Sequence, residues 1–386
     1  MNMQKFKLKD VATFINGKAF KSTEWSDNGI PIIRIQNLTK QESKFNYFKG
    51  SCEERYLVKN GDILISWSGT LGVFEWSKGD AWLNQHIFKV VFNKENLDKD
   101  YFKILIDTKM QEMLSYVHGS TMKHITKSDF EEIVIELPNI IEQRNMAQVS
   151  KKANLILNKR RQVFTKIDQL TQSLFLDMFG DPMINPKGWP VVKLEDVVSE
   201  IESGWSPVCQ KEKAKAGEWG VLKLSSVSSG FYRDSESKAL LPEVAAVEKI
   251  EVKAGDLLLA RKNVMELVGM SVFVFETQEK LMLPDLIFRI NLKNNSGFTK
   301  EFLWQMFKTA AYLQYIQSFA GGTSGSMPNI SKTNLMKLKL VSPPFEIQKK
   351  FSDCVHAIYE QKKLQKDSIA KLEFLQQSLM NKFFGK

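Results

Sequence analysis

A proline-rich motif near the end of the chain carries the most specific chemistry that the sequence suggests. Ser342-Pro343-Pro344-Phe345 has the form with which amino-methyltransferases hold a base flipped out of a duplex. The chain lacks, however, the Phe-x-Gly-x-Gly loop with which such enzymes bind S-adenosylmethionine. The motif directly precedes a long helical segment, and proline favours the first turn of a helix. We therefore interpret it as a helix entry and not as a catalytic site.

The other patterns that could support catalysis are missing or incomplete. There is no Gly-x-x-x-x-Gly-Lys-Ser/Thr loop to hold the phosphates of ATP. The four histidines and three cysteines do not follow the spacing of metal ligands. Glu236-Ser237-Lys238 resembles half of a nuclease site, but the Pro-Asp pair at Pro284-Asp285 lies downstream of it. We therefore predict that the chain is not an enzyme and binds no metal or cofactor of its own.

Length and composition describe an ordinary globular protein. The 386 residues give room for roughly two or three domains. The N-terminus lacks the apolar core of a signal peptide, and no run approaches the length of a membrane span. Three cysteines far apart in sequence argue against a disulfide framework, so we expect an intracellular protein. The net charge of +10 favours a polyanionic partner such as nucleic acid over a neutral one.

Two long segments of the chain repeat each other without a gap. Glu142 to Gly180 matches Ile347 to Gly385, with matched positions 205 residues apart. Both segments carry apolar residues at alternating spacings of three and four, which predicts two helices packed along a coiled-coil seam. At about 1.5 Å per residue, each helix would span roughly 55–60 Å. The predicted seam contains Met146, Val149, Ala153, Ile156, Val163, Ile167, Leu170 and Leu174 in the first segment and Phe351, Cys354, Ile358, Leu372, Leu375, Leu379 and Phe383 in the second.

Polar residues interrupt this seam near its middle. Arg160 does so in the first segment, and Gln361, Gln365 and Ser368 do so in the second. Polar residues within a coiled-coil seam tend to fix the register of the helices at some cost in stability. We therefore predict that these positions specify how the two helices align.

The segments that precede the two helices also repeat, at an offset that grows along the chain. Leu8-Lys9-Asp10-Val11 matches Leu194-Glu195-Asp196-Val197 at an offset of 186, and Ile125-Thr126-Lys127 matches Ile330-Ser331-Lys332 at 205. The second globular unit is therefore the longer one, as expected when insertions enter surface loops. Short β-branched runs bounded by Gly-Asp, Asn-Gly and Ser-Gly turns, each set followed by a helical stretch, predict an α+β fold for each unit.

These repeats predict four segments and a pseudo-twofold arrangement. The segments are a first globular domain (1–138), a first long helix (139–180), a second globular domain with its linker (181–342) and a second long helix (343–386). If the helices pair antiparallel, half a turn relates the two domains, and duplex DNA has the same local symmetry. We therefore predict two half-sites that differ in sequence, because the two domains differ, separated by a spacer that the helices measure.

Several features in a fixed order connect the chain to a known family. They are the duplicated Lys-Leu-x-Asp-Val openings, the prolines before Gln143 and Gln348, the linker from Leu174 to Pro190, and the stretch from Phe319 to Ser331. In this order they resemble the specificity subunit of Type I restriction-modification enzymes over essentially the whole chain. The resemblance implies two target recognition domains and conserved helical regions. One departure is the segment 118–124, where the family more often carries Gln-Pro-Asn.

The resemblance also implies partners and their cofactors. Methylation subunits, two of them, would bind S-adenosylmethionine and methylate adenine N6. A restriction subunit would use ATP and Mg to translocate and cleave DNA. The chain itself would be the non-catalytic reader of double-stranded DNA in the cytoplasm of a prokaryote, with no membrane partner.

Candidate DNA contacts come from equivalent strand ends and loops of the two units. Arg can bridge guanine and Asn or Gln can bridge adenine in the major groove, whereas Lys suits phosphate. A solvated strand edge is the competing interpretation at every position. The candidates are Lys18, Lys21, Arg34, Gln36, Asn37, Trp67, Ser68, Thr70 and Lys123 in the first unit and Lys223, Ser225, Ser226, Arg261, Lys262 and Asn263 in the second.

Two other functions remain open from the sequence. A self-contained DNA methyltransferase would explain the Ser342 motif, but the missing cofactor loop disfavours it. A stand-alone two-domain DNA-binding regulator would explain the repeat, and it would bind DNA tightly without partners. The sequence determines neither the target bases nor the exact spacer length.

Overall fold

The apolar runs of the sequence form short strands, and the Gly-Asp and Ser-Gly pairs between them lie in turns. The computed structural model describes residues 3–40, 43–116, 126–321 and 327–384. The chain divides into two compact units, Met1–Asn158 with Ala370–Lys386 and Lys159–Ile369. Each long helix therefore contributes residues to both units.

The first half of the chain contains ten strands and five α-helices among the described residues. Their bounds in chain order are β1 Gln4–Lys7, α1 Leu8–Val11, β2 Thr13–Asn16, β3 Ile30–Ile33, α2 Ile35–Thr39, β4 Asn46–Phe48, β5 Leu57–Val58, β6 Ile63–Ser66, β7 Gly72–Glu75, β8 Ala81–Leu83, β9 Ile87–Val91, α3 Lys99–Tyr116, α4 Lys127–Glu131, β10 Val134–Leu137 and the long helix α5 Ile140–Phe179.

The second half repeats this order of elements with three differences among the described residues. The helix after the last long strand is split in two, a 3-10 helix at Leu224–Ser226 takes the place of α2, and β5 has no counterpart. The bounds in the second half are β11 Val191–Lys193, α6 Leu194–Val197, β12 Val198–Ser203, β13 Gly220–Leu222, β14 Ser237–Ala239, β15 Leu257–Ala260, β16 Ser271–Phe273, β17 Leu281–Met282, β18 Ile287–Leu292, α7 Lys300–Lys308, α8 Ala310–Gln317, α9 Lys332–Met336, β19 Lys339–Val341 and the long helix α10 Phe345–Phe384.

The two halves share their sheet topology. An antiparallel sheet has the order β2-β9-β6-β7 in the first half and β12-β18-β15-β16 in the second. A mixed sheet has the order β4-β3-β8-β5 in the first half and β14-β13-β17 in the second, with β3-β8 and β13-β17 parallel. The antiparallel pairs β1-β10 and β11-β19 precede the long helices. The predicted α+β repeat is therefore confirmed.

A matched turn shows how closely the repeat is built. Gly61 and Gly255 have φ angles of 91° and 90°, in the left-handed region that glycine adopts without strain. The following residues, Asp62 and Asp256, each accept a hydrogen bond from the backbone N–H three positions earlier. The Gly-Asp pair is thus repeated because both units contain the same turn, which needs glycine at the first position and a side-chain acceptor at the second.

In the first unit, a buried glutamine attaches the start of α5 to the recognition domain. Gln143 donates from Nε2 to the carbonyl oxygens of Pro138 (2.9 Å) and Asn96 (3.3 Å). Its Oε1 accepts from the backbone N–H of Asp98 at 2.9 Å. Because a buried carboxamide must have its hydrogen bonds satisfied, this residue fixes where the helix leaves the domain.

Gln348 makes the equivalent contacts in the second unit. Its Nε2 donates to the carbonyl oxygens of Pro343 (2.8 Å) and Gly297 (2.9 Å), and its Oε1 accepts from the backbone N–H of Thr299 at 3.1 Å. The side chain is completely buried. The Gln143 and Gln348 match in the sequence therefore marks one duplicated structural junction.

The two long helices pack antiparallel within each unit. In the first unit Gln376 Nε2 donates to Asn154 Oδ1 at 2.6 Å. In the second unit the rings of Phe175 and Phe179 lie 5.6 and 5.4 Å from the ring of Phe351. As residue numbers increase along α5, the numbers of the α10 residues in contact decrease, so the helices are antiparallel, as predicted. No described helix is long and apolar enough to cross a membrane.

One row of the predicted seam is wrong by a single residue. The row Met146, Ala153, Arg160, Ile167 and Leu174 was predicted to be joined in the seam by the residues three positions later. In the structure, the residues four positions later take that place. In α5 the predicted residues Val149, Ile156, Val163 and Leu170 are 42–52% exposed, whereas the next residues, Ser150, Leu157, Phe164 and Thr171, are buried or half-buried. The same shift by one residue occurs in α10, where Val355 and Gln376 take the places predicted for Cys354 and Leu375. Apolar residues on both flanks of the row permit either choice, and only packing against the other helix decides between them.

The polar interruption at the middle of the seam is a pair. Arg160 Nη1 donates to Gln365 Oε1 at 3.0 Å. These two residues are 205 positions apart, so each is the repeat equivalent of the other. Two equivalent helices that pair antiparallel bring equivalent residues together at the midpoint of the pair. The contact therefore joins equivalent positions of the two repeats.

We predict that Gln348→Leu destabilises the second unit by about 1–3 kcal/mol, because the backbone groups of Pro343, Gly297 and Thr299 lose their hydrogen bonds to this buried side chain. Urea unfolding of the full chain, followed by circular dichroism, measures the effect. Gln361 was predicted to lie in the seam but is exposed on the same helix. Gln361→Leu is therefore the matched control and should change stability by no more than about 0.5 kcal/mol. Equal effects of the two substitutions would contradict a junction role.

Candidate nucleic-acid interface

Arg34 is held at the end of β3 by an aromatic ring and an amide. Its guanidinium carbon lies 5.1 Å from the centroid of the Trp25 ring, and its Nη1 donates to Asn46 Oδ1 at 3.3 Å. Trp25 is itself partly exposed. A guanidinium held beside a ring has fewer orientations to choose from, and its planar set of N–H donors suits bidentate recognition of a base edge.

The two candidates after Arg34 have different surroundings. Gln36 is exposed on α2. Asn37 is 2% exposed, and its Oδ1 accepts from the backbone N–H of Arg34 at 2.9 Å. Its Nδ2 donates to Ser43 Oγ (3.0 Å) and to the Lys44 carbonyl oxygen (3.1 Å). Asn37 thus shapes the turn that presents Arg34, and we no longer expect it to contact a base.

Lys18 and Lys21 flank a short turn on the same unit. Lys18 Nζ lies 4.9 and 4.8 Å from the ring centroids of Phe20 and Phe48, and it donates to Glu24 Oε1 at 3.3 Å. Lys21 is exposed, and its backbone N–H donates to Glu24 Oε2 at 2.8 Å. That backbone hydrogen bond, followed by the contact with Lys18, lowers the pKa of Glu24. Lys21 is therefore the more accessible of the two cations.

The candidates after β6 combine a packed ring with an open turn. The ring of Trp67 stacks on Phe88 with centroids 5.6 Å apart and planes 19° apart. Ser68 is half-buried and Thr70 is exposed, and Gly69 between them has a φ of 68°. The Trp67 ring is thus part of the domain core, while Thr70 presents its hydroxyl to solvent.

In the second unit, Lys223 occupies the position of Arg34. Its Nζ lies 3.0 Å from Glu236 Oε2, and Ser225 Oγ donates to the same oxygen at 2.6 Å. The Ser225 hydrogen bond, followed by the Lys223 contact, lowers the pKa of Glu236. Ser226 is completely buried, and its hydroxyl has no hydrogen-bond partner among the described residues. Because its side chain is buried, Ser226 does not present its hydroxyl to solvent, contrary to its prediction as a base contact.

The candidates after β15 lie beside the short segment that ends at Ile330. Arg261 Nε donates to Asn329 Oδ1 at 3.2 Å, and its guanidinium lies 5.0 Å from the Phe288 ring centroid. Lys262 is half-buried, and its backbone pairs with that of Asn329. Asn263 is 6% exposed and donates to Ser228 Oγ at 3.1 Å, so its side chain also serves the fold.

The structure therefore divides the candidate set. Lys123, and the segment 118–124 around it, lies outside the described residues. Asn37, Ser226 and Asn263 are buried, whereas Lys21, Gln36, Thr70 and Ser225 are exposed. Trp25 and Asn46 hold Arg34 in place, and Glu236 holds Lys223. The sequence points to neither Trp25 nor Asn46, and it singles out Glu236 only as part of an incomplete nuclease-like triplet. No spacing signal points to them, because their contacts depend on strand pairing across the mixed sheets.

A family model describes most of the chain. The Type I restriction modification DNA specificity domain matches residues 1–163 and 186–374. These two matches correspond to the two copies of the recognition fold and most of the helices that follow them. The chain belongs to this family, as the sequence resemblance implied.

Curated relatives agree with the family model. The chain is 26% identical to the MjaVIII specificity subunit of Methanocaldococcus jannaschii, with 97% of this chain and 90% of the relative covered. It is 23% identical to the EcoKI specificity subunit of Escherichia coli, with 97% and 86% covered. A shorter match to the EcoEI specificity subunit of Escherichia coli, 29% identical, covers 46% of this chain and spans about a third of that subunit, 30% of its length.

Solved structures share the fold. The S subunit of a Type I restriction-modification system from M. genitalium superposes with a TM-score of 0.61 at 12% identity, with 100% of this chain and 97% of that chain covered. A chain from a structure on the assembly and conformational transition of the type I R-M system gives a TM-score of 0.56 at 16% identity, with 99% and 97% covered. At these identities the likeness concerns the fold.

We predict that the carboxyl group of Glu236 titrates below its ordinary pKa in the folded chain, and that Ser225→Ala moves the titration upward. Since the pKa is depressed by folding, the stabilising contact is present above the ordinary glutamate pKa. It is lost as the pH falls through the lowered value. Carbon-detected NMR of the side chain measures the midpoint. Ser229→Ala is the control, since its hydroxyl bonds the Phe231 carbonyl oxygen, and an upward shift there would contradict the assignment.

Proposed function

We propose that the chain is the DNA sequence-specificity subunit of a Type I restriction-modification complex, in which each recognition domain reads one half of a bipartite, asymmetric target. The observation that carries this proposal is the duplicated recognition fold with a held cation, Arg34 or Lys223, at the equivalent position of each copy. Duplicated readers with different side chains suit a target of two different half-sites. Family membership supports the same conclusion.

The proposed readout follows from the chemistry of the exposed residues. Arg34 would bridge a guanine edge, and Lys223 would contact a base edge or a phosphate of the other half-site. Lys21 and Thr70 would contact the backbone or neighbouring bases, since both are exposed. The overall charge of +10 would strengthen all of these contacts at low salt.

The long helices would fix the spacer and dock the partner subunits. The exposed apolar residues of α5 (Val149, Ile156, Val163 and Leu170) recur every seven positions, so they lie along one side of the helix. Large apolar side chains that stay exposed in a row are typical of protein–protein contacts. We propose that methylation subunits, two per specificity subunit, bind there, and that the restriction subunits join through the complex.

In this proposal the chemistry belongs to the partners. S-adenosylmethionine would lie on the methylation subunits, and ATP and Mg would lie on the restriction subunits. The chain would be non-catalytic and act in the prokaryotic cytoplasm. The Ser342 motif supports this view, because Pro343 accepts the hydrogen bond of Gln348 at the start of α10 and so serves the helix junction.

We predict that Arg34→Ala and Lys223→Ala each relax one half-site and leave the other unchanged. A well-placed base contact contributes about 1–3 kcal/mol, so discrimination at the affected base should fall by roughly 5- to 150-fold for Arg34. The measurement is selection from a randomised duplex pool by the chain in complex with its methylation subunit. Arg55→Ala is the charge-matched control, since Arg55 pairs with its neighbour Glu53. Relaxation of the same half-site by both variants would contradict the bipartite assignment.

We predict that duplicating residues 157–163 together with 362–368 lengthens the unread spacer by about three base pairs. Seven residues add about 10 Å to a helix, and each base pair rises about 3.4 Å. Methylome sequencing of cells that carry the edited chain gives the new spacing directly. Duplicating one segment alone is the control, since it misaligns the helix pair and should abolish methylation. An unchanged spacer in the double duplication would rule out the helices as the ruler.

A further inference from the structure

A three-residue turn connects the two larger sheets of the first unit. The strand β8 belongs to the mixed sheet and β9 to the antiparallel sheet, and residues 84–86 lie between them. We call this segment the connecting turn. None of its three residues, Asn84, Gln85 and His86, is among the predicted DNA contacts.

The antiparallel sheet places the connecting turn in the middle of one edge. The strand β9 pairs antiparallel with both β2 and β6, so the start of β9 lies beside the ends of these two strands. The register pairs Phe88 with Asn16 and Ile87 with Ser66, the last residues of β2 and β6. The loops that follow carry predicted DNA contacts, which are Lys18 and Lys21 on one flank of the turn and Trp67, Ser68 and Thr70 on the other.

The mixed sheet brings Arg34 to the same edge. The strands β3 and β8 run parallel, and their last paired residues are Ile33 and Leu83. The next residues, Arg34 and Asn84, therefore lie side by side, about 4.8 Å apart as in any pair of neighbouring strands. Gln85 follows directly. The connecting turn thus lies where the candidate contacts of both sheets meet.

Backbone hydrogen bonds attach the connecting turn to both flanking loops. The N–H of Gln85 donates to the carbonyl oxygen of Lys18 at 2.9 Å, and the N–H of Trp67 donates to the carbonyl oxygen of His86 at 3.3 Å. A Cβ atom at Gly17 would lie 2.0 Å from the carbonyl oxygen of Asn84, so only glycine permits this approach. The position of the turn is therefore fixed by its neighbours.

The conformation of the connecting turn is also fixed. His86 has a φ angle of 71°, in the left-handed region that residues other than glycine seldom adopt. Such a conformation persists only where the surrounding structure imposes it. The ring of His86 packs beside that of Trp67, with centroids 5.0 Å apart. The turn is thus ordered before any ligand arrives, which lowers the entropic cost of binding.

Gln85 is the residue that this turn presents to solvent. It is exposed, and its side-chain amide makes no hydrogen bond to any described residue. By contrast, the Oδ1 atom of Asn84 is buried and His86 is half-buried. A carboxamide offers a donor and an acceptor together, and adenine presents the matching acceptor N7 and donor N6 in the major groove. Gln85 therefore has the chemistry of an adenine contact and the freedom to make it.

The edge that carries Gln85 fits the major groove in size. Strands in a sheet lie about 4.8 Å apart, so the ends of β2 and β6 with the start of β9 between them span roughly 10 Å. The major groove of B-form DNA is about 12 Å wide. The turn at the centre of this edge would lie nearest to the bases, and the flanking loops would lie nearer to the phosphates.

The second unit keeps the turn and changes its central residue. Asp285 takes the place of Gln85, and its carboxylate accepts from the hydroxyl of Ser206, whose Oγ accepts from the N–H of Asp285 at 3.2 Å. The free amide is therefore a feature of the first unit. Two backbone hydrogen bonds recur in the second unit, from Trp205 to Leu283 (3.0 Å) as from Lys18 to Leu83 (3.0 Å), and from Arg261 to Leu286 (3.0 Å) as from Trp67 to His86.

We propose that Gln85 is a specificity-determining residue of the first recognition domain and that its side-chain amide bridges an adenine of the first half-site. This inference rests on the proposed function, since it requires that the domain read duplex DNA. The adenine lies about one or two base pairs from the guanine assigned to Arg34, because neighbouring strands are about 4.8 Å apart and base pairs rise about 3.4 Å.

Selection from a randomised duplex pool by the full chain in complex with its methylation subunit tests the proposal. The parent should select an adenine in the first half-site. Gln85→Ala should lower the preference for that adenine by roughly 5- to 150-fold and leave the other positions of both half-sites unchanged. Gln85→Glu should move the preference at that position toward cytosine, because a carboxylate accepts from the cytosine N4 amino group and cannot donate to adenine N7.

Gln4→Ala is the matched control. Gln4 is an exposed glutamine of the same unit, on the strand β1, which pairs with β10 and belongs to neither larger sheet. This variant should select the same target as the parent. The thermal unfolding midpoints of all three variants should equal that of the parent, since both glutamines are exposed.

The possible outcomes separate this inference from the function on which it rests. A parent complex that selects no bipartite target would overturn both. A parent that selects a bipartite target, with a first half-site that Gln85→Ala and Gln85→Glu leave unchanged, would overturn the role of Gln85 alone. A first half-site without adenine, or a uniform loss of preference at every position of both half-sites in the Gln85 variants, would also overturn that role.

Discussion

The buried carboxamides of Gln143 and Gln348 are the contacts on which the rest of the structure depends. Each closes three hydrogen bonds between the first turn of a long helix and the backbone of its own recognition domain. A helix that is free to pivot at its start cannot measure a distance. Because the same side chain makes the same hydrogen bonds in both copies, each long helix leaves its recognition domain in a defined direction. The proposed ruler requires that property.

The repeat separates what the protein keeps from what it varies. The order of the antiparallel sheet, the Gly-Asp turn and the glutamine junction are the same in both halves, since each satisfies backbone groups that would otherwise lose their hydrogen bonds. The cations that follow β3 and β13 differ, since one copy has Arg34 and the other has Lys223. Surface positions carry little cost in folding, so they are free to acquire different ligands.

The sequence predicted the fold more fully than the site. The α+β repeat and the two long helices follow from period and offset alone. The sequence did not predict which side of each helix is buried in the seam. Apolar residues lie on both sides of the central row, so either Val149 or Ser150 could have faced the other helix. Among the candidate contacts, Asn37 and Asn263 are buried, because their amides are needed by turns that no local pattern reveals.

By itself the sequence determined the architecture and family of this protein. The constant offset of 205 residues between the two long segments indicates two equivalent helices. The offset that grows from 186 to 205 across the globular units indicates loops of different length between matched strands. Only the tertiary structure decided which side chains are held and which are offered to solvent. Trp25 contacts Arg34, and Phe231 contacts Lys362. The residues of each pair are separated in sequence and are brought together by strand pairing and helix packing. Burial and neighbours are properties of the folded chain, so the sequence limits a site to candidates and folding selects among them.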